Sequence, residues 1–175
     1  MKYIGISGGW RKTNNEVENA VRKTVREIIM QGNGIVSGGA LGVDSVALAE
    51  ALRQNPKGEK IKIFLPTSLE IYAAHYYKRA QEGVITIEQA KNLINQLSRS
   101  KTANPKSLIE NQKNTVVNKE TYFERNSEIV KASDELIAFY IISEMSDGLG
   151  TRDTIAKAKA KGIPVKVFNF NLTEK

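Results

Sequence analysis

Apolar positions follow two rhythms along the first part of the chain. Residues 2–7 and 34–37 are short, nearly continuous apolar runs with the length of buried strands. Between them Val17, Ala20, Val21, Val25, Ile28 and Ile29 recur at helical spacing, which predicts a helix over 16–31. The preceding turn carries an Asn suited to cap that helix, and Gly32 and Gly34 offer the left-handed conformation that ends it. Val43, Ala47, Leu48, Ala51 and Leu52 make a second apolar stripe over 41–54. Residues 60–66 read as a third strand, stopped by Pro66.

The pattern is looser further on. A tyrosine-rich helix is predicted over 69–81, and Thr86 with Gln89 forms a capping box that opens another through Leu97. Residues 99–119 are polar and interrupted by Pro105. They carry Arg99, Lys101, Lys106, Lys113 and Lys119 against Glu110 alone, which predicts a flexible basic surface loop or lid. Order returns with a helix over 122–133 and a strand over 134–141. A glycine loop over 146–154, a helix over 154–161 and a last strand over 165–170 follow. Strands alternating with helices predict a Rossmann-like three-layer α/β/α sandwich with a mainly parallel sheet of about five strands. The expectation is a single domain over 1–175, with a helical and basic insertion at about 69–121.

Composition narrows the class. A length of 175 residues suits one domain, and no apolar run is long enough for a membrane-spanning helix. The first residues lack the apolar core of a secretion signal. Cysteine is absent, which excludes disulfides and thiolate metal sites and makes the cytoplasm the expected location. His75 is the only histidine, so no histidine metal cluster and no Ser-His-Asp triad is expected; a surface position is predicted for it, and no metal or cofactor. The net charge of +7 favours anionic partners.

Candidate chemistry gathers where the predicted strands end, since ligands of such sheets bind at the carboxyl ends of the strands. The run SGGALGVD (37–44) is a glycine turn between a strand and a helix, and SDGLGT (146–151) repeats the arrangement. Glycine lets backbone amides approach a ligand, and a helix N-terminus adds unpaired N–H groups and partial positive charge. Together they make an anion site, usually for phosphate. Ser7, Gly8, Gly9, Ser37, Gly38, Gly39, Gly42, Gly148, Gly150 and Thr151 are therefore the candidate phosphate contacts. Neither loop is a P-loop or a GxGxxG fingerprint. Asp44 at the helix start is suited to hold the loop's shape. Trp10 beside Arg11 fits either base stacking with phosphate contact or a plug in the core. Tyr72, Tyr76 and Tyr77 with Lys78 and Arg79 fit single-strand binding or packing at the core edge.

At these residues the chain resembles the SLOG superfamily, which unites DprA/Smf proteins with LOG-type nucleotide enzymes. VSGGALGVDSVALAEAL (36–52) is similar to the DprA signature, and FLP followed by SLEIY sits where the family places its next strand and loop. YFERNSEIVKASDELIAF (122–139) resembles the family's Arg-Asn helix leading into a strand, and SDGLGTRDTIAKAKAKGIPVKVF (146–168) its terminal loop, helix and strand. The resemblance implies a phosphate-binding cleft to which Arg125 and Asn126 contribute. In DprA-like members the cleft holds single-stranded DNA and helps load a recombinase; in LOG-like members a nucleoside monophosphate is hydrolysed at its base–ribose bond. LOG-type enzymes carry paired glutamates after Gly-Thr, where this chain has Arg152, Asp153 and Thr154. DprA proteins commonly carry a basic residue where this loop has Leu41, and usually have additional domains.

The leading expectation is a non-catalytic DprA-like module that binds single-stranded DNA, with Trp10, Arg11, Lys101 and Lys106 as further nucleic-acid contacts. The alternatives are a nucleotide N-glycoside hydrolase using Asp153 or Glu70 with Arg125, and a nucleotide sensor without turnover. A homodimer and a recombinase are the expected protein partners.

Overall fold

A computed structural model of the chain describes residues 1–173. Strands β1 (Tyr3–Gly8), β2 (Gly34–Gly38), β3 (Ile61–Phe64), β4 (Leu108–Ile109), β5 (Glu135–Ile142) and β6 (Val165–Asn171) are all parallel. Helices α1 (Asn15–Met30), α2 (Val43–Gln54), α3 (Leu69–Gln81), α4 (Ile87–Ala103), α5 (Lys119–Lys131) and α6 (Leu149–Lys161) connect them. The strand order β4-β3-β2-β1-β5-β6 reverses direction at β1, so a crevice opens where the chain leaves β1 and β5.

The periodicities explain the layers. Val17, Val21, Val25, Ile28 and Ile29 are the buried stripe of α1, and they meet Ala47, Leu48 and Ala51 of α2 over Ile4, Ile6 and Ile35. Helix α4 continues that layer with Ala90, Leu93 and Leu97. Helices α5 and α6 cover the other face, where Val130, Leu136 and Ala158 form a smaller cluster. Asn14 caps α1 by accepting from the Val17 amide, as the sequence suggested, and Thr86 with Gln89 closes the capping box of α4.

Three expectations need correction. The sheet has six strands rather than five, because β4 lies inside the segment predicted to be a loop. Two residues are too short for any period-2 pattern, and their polar flanks hid them. The same segment is ordered structure in its first half: α4 runs on to Ala103, and a 3-10 turn over Pro105–Ser107 leads into β4. Ser100 and Ser107 are buried there with hydroxyl oxygens 2.8 Å apart, and Lys101 pairs with Glu110 at 2.8 Å. Helices α5 and α6 begin earlier than predicted. Asn118 and Thr121 build a capping box that the Lys and Glu between them disguised, and Gly150 sits inside the first turn of α6 rather than in a loop.

One buried charge ties α1 to α2. Glu50 is 3% exposed, and it accepts from Arg26 on α1 at 3.1 Å and from Arg53 and Gln54 at 3.0 and 2.8 Å. Burial alone would raise its pKa, but these donors outweigh burial and hold it at about 2, below the ordinary 4.5. A depressed carboxylate pKa stabilises the fold above the ordinary value, and that contribution is lost as pH falls from 4.5 towards about 2. Its size is on the order of 3 kcal/mol. Glu50→Gln is therefore expected to lower stability at neutral pH and to flatten the dependence of urea-unfolding free energy on pH in that acid window. An unchanged acid profile in the variant would show that the cluster contributes nothing.

Candidate nucleic-acid interface

The crevice above β1 and β5 is a cleft of about 510 Å³. Its floor is the β1–α1 turn, Ser7, Gly8, Gly9 and Trp10, and one wall is the start of α6 at Gly148, Gly150 and Thr151. Helix α5 supplies Arg125 and Asn126 with Tyr122 and Phe123, and α3 supplies His75 and Arg79. Nine of the residues singled out in the sequence as ligand contacts thus meet in one cleft.

Ser37, Gly38, Gly39 and Gly42 stand behind it, because the glycine loop after β2 closes on itself. Asp44 is buried under this loop, with Oδ1 2.9 Å from Ser37 Oγ and Oδ2 accepting from the Ala40 amide at 3.3 Å. The Leu41 amide donates to Tyr76 and the Val43 amide to the Gly9 carbonyl. Gly42 has a positive φ of 85°, and a Cβ there would strike the Gly9 carbonyl, so this turn accepts only glycine. Asp44 thus plays the loop-holding part expected of it. Burial raises its pKa, opposed by the Arg125 guanidinium and by the hydrogen bond from Ser37.

Arg125 is the polar centre of the cleft. Its guanidinium lies on Gly38, where any Cβ would collide with Nη1, and it sits 5.3 Å from the Tyr122 ring centroid. Nε donates to Asn126 Oδ1 at 3.2 Å, while Nη1 is buried without a hydrogen-bond partner among the described residues. Such an unpaired charged donor is costly unless a ligand satisfies it. Across from it α6 starts at Gly148 in the left-handed conformation, with no side-chain cap. The Leu149 amide reaches Asp147, but the Gly150 and Thr151 amides have no acceptor among the described residues. A fork-shaped guanidinium sharing a cleft with open helix amides has the chemistry to hold an oxyanion such as phosphate.

The remaining candidates lie elsewhere. Asp153 faces away, held by Asn126 at 3.1 Å and Lys157 at 2.7 Å, and Glu70 is exposed on the first turn of α3 outside the cleft. Arg11 has a positive φ and donates to the Val84 carbonyl at 2.7 Å, with its guanidinium 4.7 Å from the Trp10 ring centroid. Trp10 is 37% exposed, with Nε1 on the Tyr76 hydroxyl, so it is a tethered cleft residue rather than a core plug. Lys101 and Lys106 are in the α4–β4 region and do not line the cleft. Tyr72 and Tyr76 are buried, which selects the packing reading of the tyrosine-rich helix.

His75 departs from expectation. It is half-buried in the cleft wall, and burial with Arg79 and Lys78 nearby lowers its pKa, against a smaller opposing effect of Glu82. Its four-residue spacing from Arg79, on a helix anchored by Tyr72 and Tyr76, was the available signal. Lys119, Tyr122 and Phe123 were also missed as cleft residues, although Tyr122 stands one helical turn before Arg125 and Asn126. Among the described residues no three His, Asp or Glu side chains gather as a metal site, and no helix is long and apolar enough to cross a membrane.

The family model described as DNA recombination-mediator protein A matches residues 1–175. DNA processing protein A from Helicobacter pylori, whose structure concerns its single-stranded DNA binding mode, is similar with a TM-score of 0.65 at 23% identity. The match covers 95% of this chain and 64% of that one. A molybdenum cofactor binding protein from Rippkaea orientalis gives 0.60 at 19% identity, covering 96% and 76% of the two chains. DprA from Streptococcus pneumoniae gives 0.51 at 16% identity, covering 94% and 58%. At these identities the structural likeness is one of fold, and this chain spans less than two thirds of either DNA-processing protein. No curated protein sequence matches it. The family match, over a Rossmann-like fold shared with these structures, shows that the chain belongs to the DNA recombination-mediator protein A family.

Proposed function

We propose that this chain is a DNA-processing module that binds single-stranded DNA, without catalysing a reaction on it, by seating a backbone phosphate between Arg125 and the start of α6. The observation that carries this reading is that the Arg125 guanidinium lines the same cleft as two open amides, while its Nη1, packed on Gly38, has no hydrogen-bond partner among the described residues. The apolar walls formed by Tyr122, Phe123 and Trp10 suit a base, and Lys119, Arg79 and the net charge of +7 suit the flanking phosphates. Family membership and the single-stranded DNA bound by the Helicobacter pylori protein support the same ligand. The placement of Asp153 and Glu70 speaks against hydrolysis, since neither carboxylate faces the cleft. The reading also assigns a cytoplasmic location, with a recombinase and a second copy of the chain as protein partners.

Fluorescence anisotropy of a labelled oligo-dT tests it. Neutralising about four phosphates gives a log–log salt slope near −3, so affinity is expected to fall roughly 50-fold between about 50 and 200 mM salt. Absence of binding at the lower salt, or binding indifferent to salt, would contradict the proposal.

Two variants locate the contact. Arg125→Gln removes a charge-assisted hydrogen bond and is expected to weaken binding at least about tenfold. Gly38→Ala is expected to do the same with Arg125 still present, because the new methyl displaces the guanidinium. Lys106→Ala, distant from the cleft, is expected to change affinity little. Equal losses in all three variants, with circular dichroism unchanged, would point to diffuse charge rather than a phosphate seat.

A further inference from the structure

The turn between β1 and α1 is bonded to both sides of the cleft. The Gly9 amide donates to the Phe139 carbonyl of β5 at 3.3 Å, on the side where α6 starts and α5 packs beside it. Trp10 Nε1 donates to the Tyr76 hydroxyl of α3 at 3.3 Å, and Arg11 donates to the Val84 carbonyl just beyond α3 at 2.7 Å. Helix α3 thus stands across the turn from Gly150, Thr151 and Arg125. A cleft of about 510 Å³ suits one small ligand rather than a run of stacked bases.

The α3 wall carries its own basic pair. His75 and Arg79 are four residues apart, so one helix face presents both to the cleft. Tyr76 is buried and meets the His75 ring edge-on, with centroids 5.8 Å apart, which sets the ring against a fixed neighbour. Nothing among the described residues bonds the ring nitrogens of His75, and neither is sealed from solvent. Arg79 pairs with Glu82 at 3.0 Å, but both side chains are 39% exposed, and such pairs contribute little. Arg79 can therefore exchange that carboxylate for a ligand phosphate.

We infer that His75 and Arg79 form a second phosphate seat, so that the cleft holds one internal nucleotide of a strand by the phosphates on both sides of its sugar. The inference deepens the DNA-binding reading and rests on it. One phosphate lies at Arg125 and the start of α6, the other at α3, and the nucleoside spans the Trp10 turn between them. His75 makes the second seat sensitive to pH. Burial, with Arg79 and Lys78, holds its pKa below the ordinary 6.5 against a smaller pull from Glu82, so the free ring is mainly neutral at pH 7. A phosphate beside the ring favours the imidazolium, so binding takes up a proton. Affinity therefore rises as pH falls through the pKa of the bound state and levels off below that of the free state. The other charged or titratable groups around the cleft are Arg11 on the turn, Asp44 on α2, and Lys119, Tyr122 and Arg125 on α5. Burial raises Tyr122 away from neutrality and raises Asp44 towards it, so Asp44 is the group whose titration must be separated from that of His75.

Competition against labelled oligo-dT tests the second seat on the native chain. Thymidine 3′,5′-bisphosphate fills both seats and thymidine 5′-monophosphate only one, so the bisphosphate is expected to compete at least about tenfold more strongly. Arg79→Gln is expected to bring the two nucleotides to within about twofold of each other. For oligo-dT, whose internal phosphates do not titrate near neutrality, affinity is expected to rise roughly fivefold between about pH 7.5 and 5.5. His75→Asn is expected to flatten that rise, whereas a rise due to Asp44 would survive the substitution. With oligo-dT bound by the native chain, equal competition by the two nucleotides, or a pH profile unchanged by His75→Asn, would overturn the second seat alone. A native chain that binds no oligo-dT would overturn the DNA-binding reading together with it.

Discussion

Contact between the Arg125 guanidinium and the bare backbone of Gly38 sets the rest of the carboxyl-end architecture. A cation can lie against the end of a β-strand only where no side chain intervenes and where its charge is answered. The answer comes from Asp44, buried beneath the same loop, whose carboxylate also draws in Ser37 and the Ala40 amide. One carboxylate therefore fixes the loop's shape and moderates the charge above it. Because its partners satisfy Asp44, the exposed side of Arg125 remains available to a ligand. Removing either charge leaves the other buried and uncompensated, a costly state in a low-dielectric interior.

The two glycine turns that look alike in the sequence do different work. The turn after β2 packs inward against Gly9, Tyr76 and Leu65, and its glycines let backbone and side chains come close. The turn after β5 stays open: Gly148 starts α6 without a cap and leaves amides facing the cleft. Sheet topology brings the second turn to Arg125. The strand order reverses at β1, and helices α5 and α6 descend side by side on the face opposite α2. Asn126 locks that pair by bonding both Gly150 and Asp153, which fixes the distance between the guanidinium and the open amides.

Much of this was legible in the chain, for physical reasons. The stripe of Val17, Val21, Val25, Ile28 and Ile29 has one helical period and one partner surface, so α1 and its layer could be read directly. The parallel sheet followed from the alternation of strands and helices. Strand β4 could not be read, since two residues in a polar run carry no periodicity; its place is set by pairing with β3 and by the buried Ser100–Ser107 contact. At the site, residue types pointed to the glycine turns, and the family resemblance pointed to Arg125 and Asn126. The direction each amide faces depends on contacts distant in sequence, such as Val43 with Gly9 and Leu41 with Tyr76, and no local pattern encodes it. His75 was missed for a related reason: its spacing from Arg79 puts the two on one helix face, but which wall that face joins is set by contacts distant in sequence.

The most direct test of the phosphate seat is nitrogen-15 NMR of arginine side chains during titration with a short oligo-dT. The predicted result is that the Arg125 guanidinium resonances shift the most and saturate with binding, as the guanidinium gains a phosphate acceptor. Arg125 resonances that stay in place at saturating DNA, while other arginines move, would contradict it.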